Sequence, residues 1–162
     1  MSTESDSSRE LLEARHYATL ATHNEDGSIH LMPVWYLFED GKLFVGTSSS
    51  SRKARNVMAR PTAALMVDIR RLGSEKWVSA SGSAGIMKGD PAKAIDSKIR
   101  ERYLTRTALE DQRVGVAFAA ADDATICLTP RTWRSWDVQD LDTQFFGGML
   151  GKTPERWFLP LD

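Results

Sequence analysis

Apolar and polar positions alternate along much of the chain, and turn residues interrupt the pattern at short intervals. Tyr17 to Thr22 has strand composition and runs into Asn24-Glu25-Asp26-Gly27, where Asp-Gly supplies the positive φ of a hairpin. The next predicted strand, Ile29 to Phe38, is unusually rich in large apolar side chains. Pro33 lies inside it and cannot donate to a ladder, which predicts a bulge or an opening at that point. Glu39-Asp40-Gly41-Lys42 forms the following hairpin, and Leu43 to Thr47 the third strand. In Thr62 to Ile69, Ala63, Leu65 and Val67 alternate with Ala64, Met66 and Asp68, giving a fourth strand with two mostly apolar faces. Lys76 to Met87 predicts a long fifth strand. Its small residues, Ala80 to Gly85, leave room for another backbone or a flat ligand. Ala124 to Thr129 and Thr132 to Val138 predict two last strands, broken at Pro130.

Helical periodicity occupies the gaps. Ser8 to Ala14 predicts a short helix capped by Ser8, with Leu11 and Leu12 facing inward. Ser51 to Met58 predicts another, stopped by Arg60-Pro61. Asp90-Pro91 supplies a cap and an N1 proline, and Ala92, Ile95, Ile99 and Tyr103 then share one face. Leu109 to Ala121 predicts a further short helix and a loop. Six to seven short antiparallel strands with turn signals between them argue for a β-barrel, and the helices place the chain in the mainly β (α+β) class. Residues 1–8 are polar and acidic and are expected to form a disordered tail. The domain is expected over residues 9–138. Residues 139–162 contain Gly147-Gly148, Gly151 and Pro154, and predict an irregular extension packed on the domain or ordered only by a partner.

The length of 162 residues, 41% of them hydrophobic, suffices for one domain with a proper core. A formal charge of −1 argues against nucleic acid or an anionic membrane as the main partner. The single cysteine, Cys127, excludes an internal disulfide and suits a reducing compartment. No apolar run approaches the ~20 residues that span a bilayer, and the N-terminus has neither signal nor transit character. These features predict a soluble, cytoplasmic protein.

Most of the chemistry inventory is bland. His16, His23 and His30 lack metal-ligand spacing with any cysteine or carboxylate pair. Cys127 lies in the apolar run Ile126-Cys127-Leu128 and reads as a core residue. Gly82-Ser83-Ala84-Gly85 lies mid-strand and is not a dinucleotide fingerprint. Asp137, Asp140 and Asp142 read as a solvated loop before a cation site. The exception is the stretch from Gly46 to Asn56. Thr47, Ser48, Ser49, Ser50 and Ser51 lead into Arg52 and Lys53 just where a helix is predicted to begin. Capping hydroxyls, amides at a helix start and two adjacent cations together suit a terminal phosphate. Trp35, Trp77, Trp133 and Trp136 all fall in predicted strands, where an indole is either core or a face for a planar ring.

These residues resemble the pyridoxamine 5′-phosphate oxidase-like superfamily of flavin- and deazaflavin-binding split β-barrels. The resemblance covers roughly residues 9 to 138. Its most specific piece is Leu31-Met32-Pro33-Val34-Trp35, followed across a hairpin by Thr47 and by Ser51-Arg52-Lys53. It implies that Met32, Pro33, Val34 and Trp35 lie along an isoalloxazine edge, largely through backbone. Thr47, with Ser48 and Ser51 beside it, would meet the ring or ribityl region, and Arg52 and Lys53 would grip the FMN phosphate. Lys76 to Gly82 resembles the strand that reaches the flavin from the partner subunit, with Trp77 where the oxidases carry glutamine. Pro130 to Trp136 resembles the closing strand, and Trp136 falls at its flavin-site tryptophan.

The resemblance also has gaps. Leu31 and Tyr36 stand where the true oxidases carry an arginine and a substrate-phosphate lysine. Asp137-Val138-Gln139-Asp140 stands where a vitamer-binding Arg-x-His segment follows the tryptophan. The implied function is therefore an FMN-dependent oxidoreductase acting on a small substrate other than a B6 vitamer. The alternatives are an F420-dependent reductase on the same fold, or a flavin- or haem-holding protein without turnover. The implied assembly is a homodimer with the cofactor at its interface.

Overall fold

The computed structural model describes residues 6–121 and 124–161. Helix α1 spans Asp6–Glu13, and strands β1 to β4 span Ala18–His23, Ile29–Val34, Leu37–Glu39 and Lys42–Thr47. Helix α2 (Arg52–Ala59) precedes β5 (Thr62–Ile69) and β6 (Lys76–Lys88). Helices α3 (Asp90–Tyr103), α4 (Arg106–Glu110) and α5 (Gln112–Ala121) then lead to β7 (Ala124–Asp137). The seven strands form one antiparallel sheet in the order β2-β1-β5-β6-β7-β4-β3. β2 and β3 stand at opposite ends of that order, yet only Trp35 and Tyr36 separate them in the chain. The sheet must therefore curl round on itself as a split barrel, which is the predicted α+β architecture.

Three elements differ from expectation. The predicted strand Ile29 to Phe38 is two strands, broken at Trp35-Tyr36 rather than at Pro33. Pro33 stays in an unbroken register opposite Thr19. β2 ends the sheet, and on such a strand a missing N–H facing the outer edge costs no ladder bond. The predicted break at Pro130 is instead a bulge within a single 14-residue β7. Gly82 lies opposite Pro130 and Ser81 opposite Thr132, so Arg131 is the extra residue. The small residues of β6 thus serve this chain's own packing, since Ala80 and Ala84 are buried in the core and Gly82 lies against β7. Gly85, by contrast, has nothing within 4 Å of where a Cβ would stand. Third, α3 is preceded by Gly89 at φ 70°, with no side-chain cap, so Asp90 is a first-turn residue rather than the cap.

The tail expected over residues 1–8 lies outside the described residues as far as residue 5. Residues 6–8 already belong to α1, where Ser8 is buried rather than capping. Leu12, Leu20, Leu43, Leu65, Ile126 and Leu128 fill the barrel, with Tyr36 fully buried among them. The Tyr36 hydroxyl donates to the Leu12 carbonyl at 2.8 Å and so fastens α1 to the barrel mouth. Burial pushes the Tyr36 phenol up to about 12 from 10.0, against the lowering effect of the nearby Arg102 charge. A phenol raised in the folded state favours folding fully below its unfolded value and loses that contribution as pH rises through the folded one. The urea midpoint should fall between pH 10 and about 12, and Tyr36→Phe should lack that part of the fall. The same variant should lose about 1 kcal/mol at neutral pH with its hydrogen bond.

The C-terminal segment forms short helical turns as far as Arg156 and packs on the β5–β6 turn, and residues 157–161 have no regular element. α6 (Val138–Leu141), a π-turn (Asp142–Phe146) and α7 (Met149–Lys152) wind around Asp142. The buried Asp142 carboxylate accepts from the Leu150 and Gly151 amides at 3.0 and 2.9 Å. Gly147 and Gly148, at φ 61° and 81°, make the reversal between the turns. Gly73 in the β5–β6 turn packs under this segment, where a Cβ would sit 2.5 Å from the Leu150 carbonyl oxygen. Among the described residues no helix is long and apolar enough to cross a membrane.

Candidate functional site

The hydroxyl run after β4 builds the start of α2. Ser51 is the N-cap, its Oγ accepting from the Ala54 amide at 3.2 Å. Thr47, itself buried, places its Oγ1 2.8 Å from Ser51 Oγ, and Ser48 and Ser50 meet at 2.9 Å. The Arg55 guanidinium donates to the Ser50 carbonyl and closes the turn. The first-turn amides that an α-helix cannot bond internally point out from this end, with no acidic residue in the first turn to neutralise them.

Beside that turn lies a cleft of about 190 Å³, lined by Pro33, Val34, Trp35, Gly46 and Lys53 together with Asp96, Ile99, Arg100 and Phe118. Trp35, outside any strand, is held by stacking. Its ring lies 5.1 Å from that of Tyr103 and 5.9 Å from that of Phe118, with interplanar angles of 3° and 26°. Gly46 lets α3 lie close to β4, since a Cβ there would meet Asp96 Oδ1 at 2.9 Å. Asp96 is buried and its Oδ1 accepts from Thr125 Oγ1 at 2.8 Å. Asp96, Arg100 and Phe118 also border a second cavity of about 540 Å³, which continues past Lys93 and Leu109.

The structure divides the expected site residues into groups. Pro33, Val34, Trp35 and Lys53 converge on the cleft. Thr47, Ser48 and Ser51 are spent in the turn, and the Met32 side chain packs on the barrel core. Arg52, one residue before Lys53 and so about 100° round the helix, lines a different cavity with Asn24, Asp26 and Arg55. There Asp26 is held below the usual carboxylate range by its hydrogen bonds to Ser28, with a smaller effect from Arg52. Within this chain the two cations therefore line different cavities. Trp77 and Trp136 face each other across β6 and β7. Trp77 lies ten residues along β6 from Met87, which pairs with Thr125 beside Gly46. At roughly 3.3 Å per residue the two tryptophans lie on the order of 30 Å along the strand from the cleft of their own chain.

Asp96, Arg100 and Phe118 escaped sequence reasoning. Asp96 stood out in principle, being a carboxylate one position from Ile95 and three from Ile99 on a face otherwise apolar. Phe118 fell in a segment with no clear periodicity. Asp137, Asp140 and Asp142 diverge. Asp137 pairs with Lys76 at 3.2 Å, Asp142 turns inward, and no group of three or more metal-ligating side chains gathers among the described residues.

Residues 5–137 match the sequence profile of the family described as pyridoxamine 5′-phosphate oxidase. No curated protein matches the chain. Among solved structures, a conserved hypothetical protein from Mycobacterium tuberculosis is 25% identical with a TM-score of 0.70, over 86% of this chain and 88% of that one. A protein described as an F420 reductase is 23% identical with a TM-score of 0.62, over 81% and 98%. The heme storage protein HutZ of Vibrio cholerae is 18% identical with a TM-score of 0.60, over 80% and 90%.

Proposed function

The chain belongs to the pyridoxamine 5′-phosphate oxidase family, and on that premise we propose that it is an FMN-dependent oxidoreductase of small molecules, with each cofactor held between two copies of the chain. The observation that carries this reading is the cleft where Pro33, Val34 and Trp35 meet Gly46 and Lys53 at the start of α2. Its donors fit the group. Lys53 and the first-turn amides of α2 offer positive charge to a phosphate, and the edge of β2 offers backbone to a planar ring. Asp96, tied to Thr125, fixes α3 as the opposite wall and limits how far an anion can sink.

Bound there, the isoalloxazine would supply hydride acceptance and donation at its N5, and the chain's own residues bind, orient and exclude water. A volume of about 190 Å³ falls below the ~300 Å³ at which ligand pockets begin, so one chain supplies one wall. Trp77 and Trp136, remote from their own cleft, are the residues for the partner's. B6 oxidation is not part of the proposal. Tyr36, where a substrate-phosphate lysine would stand, is fully buried in the barrel. The larger cavity on the other side of Asp96, Arg100 and Phe118, bordered also by Lys93, favours F420 as the second reading, since its longer anionic tail needs room beside the cleft.

The absorbance spectrum of the purified protein, with mass identification of what denaturation releases, separates FMN, F420 and haem. Reduction of the bound cofactor by NAD(P)H or reduced F420, with a panel of acceptors, separates an enzyme from a storage protein. Subunit exchange tests the shared site. Mixing Lys53→Ala with Trp77→Ala should restore one tight FMN site per heterodimer, since each chain supplies the half the other lacks. A monomer by sedimentation at micromolar concentration, with cofactor still bound, would defeat the shared site.

A further inference from the structure

Two apolar surfaces of the single chain lie uncovered. One is the outer face of β2, where Ile29 and Leu31 are 52% and 62% exposed and Pro33 follows at the same alternation. Tyr17, 65% exposed, borders the same shallow cavity as Pro33 and extends this face. The other belongs to the C-terminal segment. Leu141 and Phe145, one helical turn apart, continue through Met149, Trp157, Leu159 and Leu161 with exposures from 38% to 87%. This segment is not loose chain. Asp142 locks its turns, and Gly73 seats it on the β5–β6 turn. A segment built so firmly, with its large apolar side chains outward, is shaped for something to lie against.

We infer that the C-terminal segment of each protomer seats on the β2 face of a second copy, beside that copy's cofactor cleft, and closes it. The occupant is argued from area, reciprocity and continuity. The C-terminal side chains expose on the order of 600 Å², the upper end of the range for the largest apolar patch of a monomer. With the β2 face added, each protomer would bury on the order of 900 Å², against about 800 Å² per partner in a standard interface. Two unlike patches on one chain close into a two-fold pair when each meets the other's complement, and the pair then leaves neither exposed. Continuity comes from Trp136, six residues before the Asp142 lock. The shared-site reading sets Trp136 against the partner's cofactor, so the segment that follows it arrives at the same cleft. The inference rests on that reading and goes beyond it by assigning Phe145, Trp157 and Leu159 to the wall of the partner's site.

The test places the photo-crosslinker p-benzoylphenylalanine at position 145 of the full chain and maps the products by mass spectrometry. A dimer-mass product joined to the peptide containing Leu31 is expected, and the same group at the exposed Lys42, at the far end of β4 from the cleft, should give none. A second measurement uses Phe145→Asp with Leu159→Asp, both on exposed side chains that the fold does not need. The pair should raise the dimer dissociation constant by about tenfold or more and leave far-UV circular dichroism unchanged. A dimer that crosslinks elsewhere, or ignores the two aspartates, overturns this inference and leaves the shared site standing. A wild-type monomer overturns both.

Discussion

Lys53→Ala is expected to weaken FMN binding by about 10- to 150-fold, the equivalent of about 1.5–3 kcal/mol for one charged contact to a phosphate. The magnitude follows from its position. Lys53 is the cation of α2's first turn that lines the Trp35 cleft, where partly excluded water screens less than bulk solvent does. Arg52→Ala should cost less, because its side chain lies in the neighbouring cavity beside Asp26. Lys42→Ala is the control, an exposed cation at the far end of β4 from Thr47. Arg55 would make a poor control, since its guanidinium holds the Ser50 carbonyl and with it the turn. Fluorescence titration of apoprotein with FMN reads all four proteins. Equal affinity for Lys53→Ala and wild type would move the phosphate away from α2.

Much of this fold was legible because its strands are short and bounded by strong turn residues. Thr62 to Ile69 matches β5 at both ends, since Pro61 opens it and the Arg70-Arg71-Leu72-Gly73 turn closes it. What misled was proline. Pro33 predicts a bulge or an opening and Pro130 a break, and both lie inside continuous strands. The outcome depends on neighbours that no local pattern contains, a free outer edge for Pro33 and the facing Gly82 for Pro130. The break at Trp35-Tyr36 was hidden for a similar reason. Both residues have strand character, but the chain must leave one end of the sheet there to reach the other.

The candidate site was legible as a list and not as a place. The hydroxyl run, Lys53 and the Pro33-Val34-Trp35 stretch are local signals, and they meet as expected. The divergence of Arg52 from Lys53 follows from helical geometry alone, since adjacent residues cannot share a direction. The contribution of α3 and α5 depends on how those helices dock, through a glycine at position 46 and a ring stack on Trp35. The order of the C-terminal segment depends on one buried carboxylate binding amides eight and nine residues ahead. Sequence pattern registers such a carboxylate only as another acidic residue in a loop.

Gly82→Ala is expected to be among the most damaging single-methyl changes available to this chain. The added carbon would lie 2.1 Å from the Thr129 carbonyl oxygen, 2.9 Å from the Arg131 amide nitrogen and 3.0 Å from Pro130 Cα. All three are backbone atoms, so no rotamer change relieves the clash. β6 and β7 would have to part at the bulge, along the longest strand pairing of the sheet. A cost of about 3 kcal/mol or more follows, at or beyond the usual upper range for overpacking. For a domain of this size that corresponds to a loss of roughly 6–12 °C in Tm. Gly85→Ala is the matched control, because it lies three residues along the same strand with nothing within 4 Å of its added carbon. It should melt within about a degree of wild type, or slightly above, since alanine restricts the unfolded chain more than glycine does. Differential scanning calorimetry of the three proteins decides the matter. If Gly82→Ala melts with wild type, the bulge is not held by close contact and Pro130 needs another explanation. The bulge also lies between the cleft and the Trp77–Trp136 pair, so its opening would shift the register of the two indoles. In Gly82→Ala the FMN site shared with the partner should therefore weaken even at temperatures where the barrel remains folded.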